Sequence, residues 1–251
     1  FNALIEYAER LGIGFVATGH YARVFLSSED RLYLARSVNR QKDQSYFLSG
    51  VRGEMLRRVL FPLGALDKPA VRGMARSARL AVAGKKESQE VCFVPEGTLK
   101  SFLTARRMSL TRGAIENPRG EVLGEHDGLA PYTVGQRRRL GIATGKPQYV
   151  VRLDRARNVL VVGDEADLLN RDLACTLEWI DDAAAADPAG VTAQIRYRHK
   201  PAVVGSLHID GSRCSVRFVK PQRAICPGQT IAFYKGDIVV GSGVIDASGS
   251  S

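Results

Sequence analysis

The sequence lacks the features that would place it among secreted, membrane-spanning or metal-stapled proteins. Its 251 residues include four cysteines, Cys92, Cys175, Cys214 and Cys226. They are too widely spaced for a C-x-x-C pair, which argues against a zinc ribbon, and no metal site is expected. No apolar run approaches the ~20 residues that cross a bilayer. No basic segment followed by an apolar leader opens the chain, so no signal peptide is read. These absences predict a cytoplasmic protein with reduced thiols and no membrane partner. Internal repeats are missing as well. There is no initiator Met, and Phe1, Leu4, Ile5, Ala8 and Leu11 already follow helical spacing with no capping residue before them. The expectation is a fragment that begins inside or at the edge of a helix.

What is present is a globular composition with a basic bias. Hydrophobic residues make up 45%, which argues against disorder. The 36 Lys and Arg against 26 Asp and Glu leave a net charge of +10. The excess is concentrated: residues 100–160 hold twelve Lys and Arg against five acids. Arg196, Arg198, His199 and Lys200 form a second cluster, and Tyr132, Tyr149 and Tyr197 lie among these cations. Cations neutralise phosphates and tyrosines stack on bases, so RNA is one reading. A solvated charged face is the other.

Local patterns divide the chain into an α/β start, a basic middle and a β-rich end. Gly12-Ile13-Gly14 ends the first helix, and Ile13–Ala17 reads as a strand buried on both faces. Glycine follows at Thr18-Gly19-His20, and in α/β sheets ligands bind beyond the carboxyl ends of strands. Residues 21–26 and 32–36 read as paired strands, and short helices are expected at 44–50 and 53–60. Asp67 should cap a helix with Pro69 in its first turn and Val71, Met74, Ala75 and Ala78 on its inner face. Val91–Val94 reads as a strand and 98–107 as a helix. Asn117-Pro118-Arg119-Gly120 is a turn, and 149–153 and 159–162 are strands. Six short strands, 173–180, 191–197, 202–209, 213–219, 230–234 and 237–245, predict a small barrel or sandwich, with hairpin signals at Asp210-Gly211 and Lys235-Gly236-Asp237.

Six strings go beyond composition: Ala17-Thr18-Gly19-His20-Tyr21, Lys42-Asp43-Gln44-Ser45-Tyr46-Phe47-Leu48, Phe61-Pro62-Leu63-Gly64, Glu87-Ser88-Gln89-Glu90-Val91-Cys92-Phe93, Gly124-Glu125-His126-Asp127-Gly128-Leu129 and Thr133-Val134-Gly135-Gln136-Arg137. In this order they closely resemble the bacterial tRNA-specific 2-thiouridylase family (MnmA). The resemblance runs over nearly the whole chain and is weakest at 165–215. It implies an α/β N-terminal part, the remnant of an adenine nucleotide α-hydrolase-like (PP-loop) domain, followed by a small central domain and a C-terminal β-barrel. The implied bounds are 1–95 for the C-terminal part of the ATP-binding domain, 96–168 for a central basic tRNA-binding domain, and 169–251 for the barrel. It implies ATP with Mg as cofactors, and tRNA and a persulfide sulfur-donor protein as partners. The family's pyrophosphate loop, S-G-G-V-D-S, does not occur in this sequence, so the expectation is that the chain alone is inactive.

The same resemblance assigns roles. Cys92 matches the persulfide-bearing cysteine; sulfur transfer needs a thiolate, which Lys85 and Lys86 would favour and Glu87 and Glu90 oppose. Cys175, Cys214 and Cys226 are expected to be packing residues. Gly19 matches an ATP-contacting glycine, whose missing Cβ lets a ligand approach the backbone. His20, Lys42, Asp43, Gln44, Arg196, Tyr197 and Gln229 match tRNA-contacting positions; Asp43 could equally cap a helix, and Pro227-Gly228-Gln229 read alone is only a turn. Arg139 departs from the pattern, since many family members carry glycine there. It either strains the loop or adds a phosphate contact. A non-catalytic RNA-binding module is the alternative function.

Overall fold

The computed structural model describes residues 1–84 and 111–247. The chain forms two compact units: residues 1–85, 171–220 and 227–251 make the first, and 86–170 with 221–226 the second.

The first unit opens with α1 (Asn2–Arg10). Its end follows from Gly12, whose φ of +69° is the left-handed region that side chains resist. The turn lets the Gly12 N–H reach Glu9 O (2.9 Å) and the Ile13 N–H reach Ala8 O (2.9 Å), which satisfies carbonyls the helix leaves open. A two-residue strand β1 (Val16–Ala17) follows, then the hairpin β2 (Ala22–Leu26) and β3 (Leu32–Arg36). After a run of tight turns come α2 (Glu54–Arg58), β4 (Val59–Leu60) and α3 (Lys68–Ser77). Asp67 caps α3 by accepting the Ala70 N–H at 2.8 Å, with Pro69 in the first turn.

Several sequence expectations fail here. Ile13–Ala17 is not a strand buried on both faces: only Val16 and Ala17 are extended, and Ile13 and Phe15 are exposed. β1 pairs only with β4, in parallel, so among the described residues nothing covers its other edge. The helix expected at 53–60 stops at Arg58, because Val59 and Leu60 are extended by pairing with Val16 and Ala17. Residues 44–50 form successive turns rather than a helix. The inner face expected of α3 has no buried residue, and Met74 is exposed. The strand expected at 91–94 and the helix at 98–107 lie outside the described residues, as does Cys92.

The rest of this unit is the barrel: β9 (Leu169–Ile180), β10 (Val191–Gln194), β11 (Ala202–Asp210), β12 (Arg213–Arg223), β13 (Thr230–Lys235) and β14 (Ile238–Ile245). A short helix, Asp182–Ala186, links β9 to β10. The strand order β13-β10-β11-β12-β9-β14 closes because β14 pairs back onto β13. Closure removes the unpaired edges that a small open sheet would expose. Gly211 and Gly236 take positive φ in the two expected hairpin turns. β14 also carries the N-terminal hairpin, since Ile238 pairs with Ala35 of β3. The core under this junction combines Ala22, Leu34, Tyr46, Leu48 and Leu56 with Ala232, Tyr234 and Val239.

The second unit is a four-stranded sheet of order β6-β5-β8-β7, from β5 (Gly113–Glu116), β6 (Val122–His126), β7 (Tyr149–Asp154) and β8 (Val159–Gly163). All five residues of β8 are buried, as a central apolar strand demands. Asn117-Pro118-Arg119-Gly120 turns as expected, with Asn117 Oδ1 accepting the N–H groups of Arg119 and Glu121. His126 is fully buried: its Nδ1 accepts the Gly128 N–H at 2.9 Å, which leaves Nε2 to donate to Asn158 O. The Gly124–Leu129 string therefore has a structural reason within its own unit.

Candidate nucleic-acid interface

The residues singled out in the first unit come from four distant stretches, and the fold links them in one network. It starts at the carboxyl end of β1. The Thr18 N–H donates to Leu60 O, and a hydrogen bond joins Thr18 Oγ1 to His20 Nδ1 at 2.9 Å. The His20 ring forms a triangular cluster with Phe1 (5.8 Å between centroids) and Phe61 (6.2 Å), which are 6.0 Å from each other. This partial burial holds its pKa below the ordinary histidine value, so the neutral ring is favoured.

Tyr21 ties this end to the second stretch. Its N–H donates to Gln44 Oε1 (2.9 Å), and its carbonyl accepts the Gln44 N–H (2.9 Å). The Gln44 amide is thus a clasp between the 19–21 and 42–48 segments. Asp43 is more buried still, its side chain 7% exposed. Its carboxylate accepts the N–H groups of Ser37 (2.9 Å) and Ser45 (3.2 Å) and the Ser45 hydroxyl (2.9 Å), and lies 3.7 Å from Arg36. Lys42 is half-buried, its N–H on Asn39 O.

Arg36 carries the network into the barrel. Its guanidinium lies 3.7 Å from the Tyr234 ring centroid and donates to Gln194 Oε1 at 3.3 Å. Gln194 Nε2 in turn donates to the Arg196 carbonyl at 3.1 Å. A chain of contacts thus runs from the Asp43 carboxylate through Arg36 and Gln194 to the Arg196 backbone carbonyl. Burial pushes the Tyr234 hydroxyl up to about 12.

Two aromatic contacts complete the convergence. Phe47, exposed at 60%, lies 4.4 Å from the Tyr197 ring, and Tyr46 lies 5.5 Å from Phe47. The Tyr46 hydroxyl donates to Thr230 O at 2.8 Å, beside Gln229. Gln229 itself is half-buried, and its carbonyl accepts the Ile245 N–H. Arg198, at a φ of +64°, sets its guanidinium 5.5 Å from the Tyr197 ring. The sequence reading missed Phe47 as a candidate contact; an aromatic in a string read as helix carried no sign that its ring is exposed.

Gly19 is exposed at the end of β1, and a Cβ built there would meet only Leu63 Cδ1 at 3.7 Å. Among the described residues no contact requires glycine at this position, and the missing Cβ leaves the backbone open to close approach. The described residues supply no cradle for a triphosphate around it. Cys175 and Cys214 are buried in the barrel wall and Cys226 is half-buried; all three are free thiols. A hydrogen bond with Cys214 and burial push the Cys175 thiol far up, which fits packing and not nucleophilic chemistry. Among the described residues no cluster suits a metal ion, and no helix is long and apolar enough to cross a membrane.

Residues 1–96 match the family model described as tRNA methyl transferase HUP domain, 100–164 the tRNA methyl transferase PRC-barrel domain, and 173–245 the aminomethyltransferase beta-barrel domain. The tRNA-specific 2-thiouridylase MnmA of Heliobacterium modesticaldum is 46% identical over 250 residues, covering 98% of this chain and 65% of that protein. The protein of the same name from Moorella thermoacetica is 46% identical over 250 residues, 98% of this chain and 70% of its own. That of Koribacter versatilis is 42% identical over 253 residues, covering 98% and 68%. The chain spans about two thirds of the length of these curated relatives. Nearly end-to-end identity at this level, with an α/β start, a central domain and a closed barrel in the same order, shows that the chain belongs to the tRNA-specific 2-thiouridylase family.

Proposed function

We propose that this chain is part of an ATP-dependent tRNA-uridine 2-sulfurtransferase and supplies its RNA-holding surface and its persulfide cysteine. The observation that carries the reading is the convergence of His20, Gln44, Tyr197 and Gln229, from four stretches, through the Tyr21–Gln44 clasp, the Phe47–Tyr197 ring contact and the Tyr46–Thr230 hydrogen bond. Exposed aromatics beside cations suit splayed, single-stranded bases, as in an anticodon loop.

Adenylation of the wobble-uridine 2-oxygen by ATP, with Mg, makes that oxygen a good leaving group, and pyrophosphate departs. The terminal sulfur of a persulfide on Cys92, loaded by a sulfur-donor protein, attacks carbon 2 and AMP leaves; a second thiol then attacks the Cys92 sulfur, forms a disulfide with it and releases the thiolated base. Gly19 lets the nucleotide approach the backbone at the end of β1. His20, neutral and fixed by Thr18, contacts the RNA beside it as a hydrogen-bonding ring rather than a cation. Lys42 and Arg196 supply charge, Tyr197 and Phe47 stacking surface, and Gln229 a polar contact. Asp43 is linked to the Arg196 carbonyl through Arg36 and Gln194. The site of action is the cytoplasm.

A second reading is a non-catalytic tRNA-binding module, which the contacts linking His20, Gln44, Tyr197 and Gln229 would serve equally well. The full-length protein separates the two. Cys92→Ser is expected to abolish thiolation of tRNA while leaving tRNA affinity unchanged, and Arg196→Ala to weaken tRNA binding. A Cys92→Ser protein that still thiolates overturns the role of Cys92. Loss of binding with no thiolation by the wild type favours the module.

A further inference from the structure

We propose that the second unit carries a phosphate site built on Arg137 and Arg139, which takes a phosphodiester of the RNA backbone. This inference rests on the RNA reading of the first unit, but the residues that carry it belong to the second.

A cleft of about 270 Å³ is lined by Arg137, Arg139, Thr144, Lys146 and Gln148, and no acid lines it. Lys146 is already paired, its Nζ 2.8 Å from Asp164 Oδ2. Arg137 and Arg139 are exposed and have no hydrogen-bond or ion-pair partner among the described residues. Two unpaired guanidiniums and one half-neutralised ammonium around one cleft leave an uncompensated positive field. Guanidinium geometry matches phosphate oxygens two at a time.

The backbone says that this arrangement is held rather than incidental. Arg139 sits at a φ of +63°, a conformation that costs an L side chain roughly 1–2 kcal/mol. Its loop is pinned on both sides. The Gly135 N–H donates to Val150 O (2.7 Å), the Val150 N–H to Gln136 O (2.9 Å), and Gln136 Nε2 to Arg138 O (2.9 Å). Leu140 follows at once and is buried with Ile115, Val150, Leu160 and Val162. A strained residue persists only where its surroundings over-determine it. Glycine would make the same turn without that cost, so the arginine at this place is explained by what its guanidinium does. Arg139 is both strained and placed to contact phosphate.

The test measures affinity of the full-length protein for tRNA against KCl concentration, for wild type, Arg139→Gly, Arg137→Ala and Arg196→Ala, with thermal melts of each. Arg139→Gly is expected to bind tRNA more weakly at low salt, with a salt slope shallower by roughly 0.7–0.9 for each phosphate no longer neutralised. Its melting temperature is expected to be equal to or above that of wild type, because glycine relieves the strained φ. Arg137→Ala should reproduce the binding defect without altering the turn. If both variants keep wild-type affinity and slope while Arg196→Ala loses affinity, this site is wrong and the RNA reading of the first unit stands. If the wild type fails to bind tRNA, both fall. If Arg139→Gly loses only binding of inorganic phosphate and keeps that of tRNA, the ligand is a free anion and the backbone assignment is overturned.

Discussion

Gly64 closes the Phe61–Gly64 string, and its replacement offers the sharpest test of the packing around β2. A Cβ built on Gly64 would lie 1.7 Å from the Ala22 carbonyl oxygen and 2.6 Å from its carbon. Both are backbone atoms of the buried first residue of β2, so no side chain can swing aside. Restoring an ordinary contact requires a shift of more than about 1 Å, in a core where overpacking costs about 1–3 kcal/mol. Gly64 O also accepts hydrogen bonds from the Val38 N–H (3.0 Å) and the buried Ser37 hydroxyl (3.0 Å). Losing one adds about 1–3 kcal/mol if its partner stays buried and unmet. Gly64→Ala is therefore expected to cost roughly 3–5 kcal/mol, or on the order of 10 °C in melting temperature for a chain of this size. Gly12→Ala is the matched control: its φ is positive, nothing lies within 4 Å, and only the left-handed cost of roughly 1–2 kcal/mol applies. Denaturant and thermal unfolding of both variants decide the matter. A Gly64→Ala protein as stable as Gly12→Ala, or a melting temperature within about 2 °C of wild type, would refute the steric argument.

Two further predictions concern the same unit. Asp67→Ala removes the cap on the Ala70 N–H and is expected to cost about 1 kcal/mol by denaturant unfolding, with Asp67→Asn retaining most of it; equal losses in both would mean that the cap is not the source. His20 is held below its ordinary pKa by burial, so the unfolded chain takes up a proton first as pH falls. The stability its neutral ring contributes is complete above about pH 6.5 and is lost as pH falls from there toward the folded-state value. His20→Gln should accordingly show a shallower fall in melting temperature between about pH 7.5 and 5.5 than wild type. A steeper fall would reverse the assignment.

The parts of the fold legible in the sequence are those decided by short-range rules. The β2–β3 hairpin, the Asp67 cap and the six barrel strands follow from alternation, capping and turn residues, and all lie within a few residues of their expected bounds. Long-range pairing decided the rest. Val59 and Leu60 are strand rather than helix because Val16 and Ala17 lie beside them, and no local pattern encodes that partner. Ile13 and Phe15 are apolar yet exposed, because among the described residues β1 has one neighbour where the run of apolar residues implied two. Closure of the barrel is likewise a long-range fact, set by the β13–β14 pairing.

The candidate site divides along the same line. Its residues could be picked out one by one through resemblance, but their division of labour could not. Asp43 and Gln44 adjoin Lys42 in one string, and resemblance gives all three one role. In the fold, Asp43 is turned inward onto Arg36, Ser37 and Ser45, and Gln44 clasps Tyr21. The Asp43 carboxylate and the Gln44 Oε1 are thus engaged within the chain, and stranding their partners would be costly. The exposed ring of the string is Phe47, which lies against Tyr197. The polar residues of the string tie its backbone to the 19–21 segment and, through Arg36 and Gln194, to the Arg196 carbonyl, while Phe47 stays exposed against Tyr197.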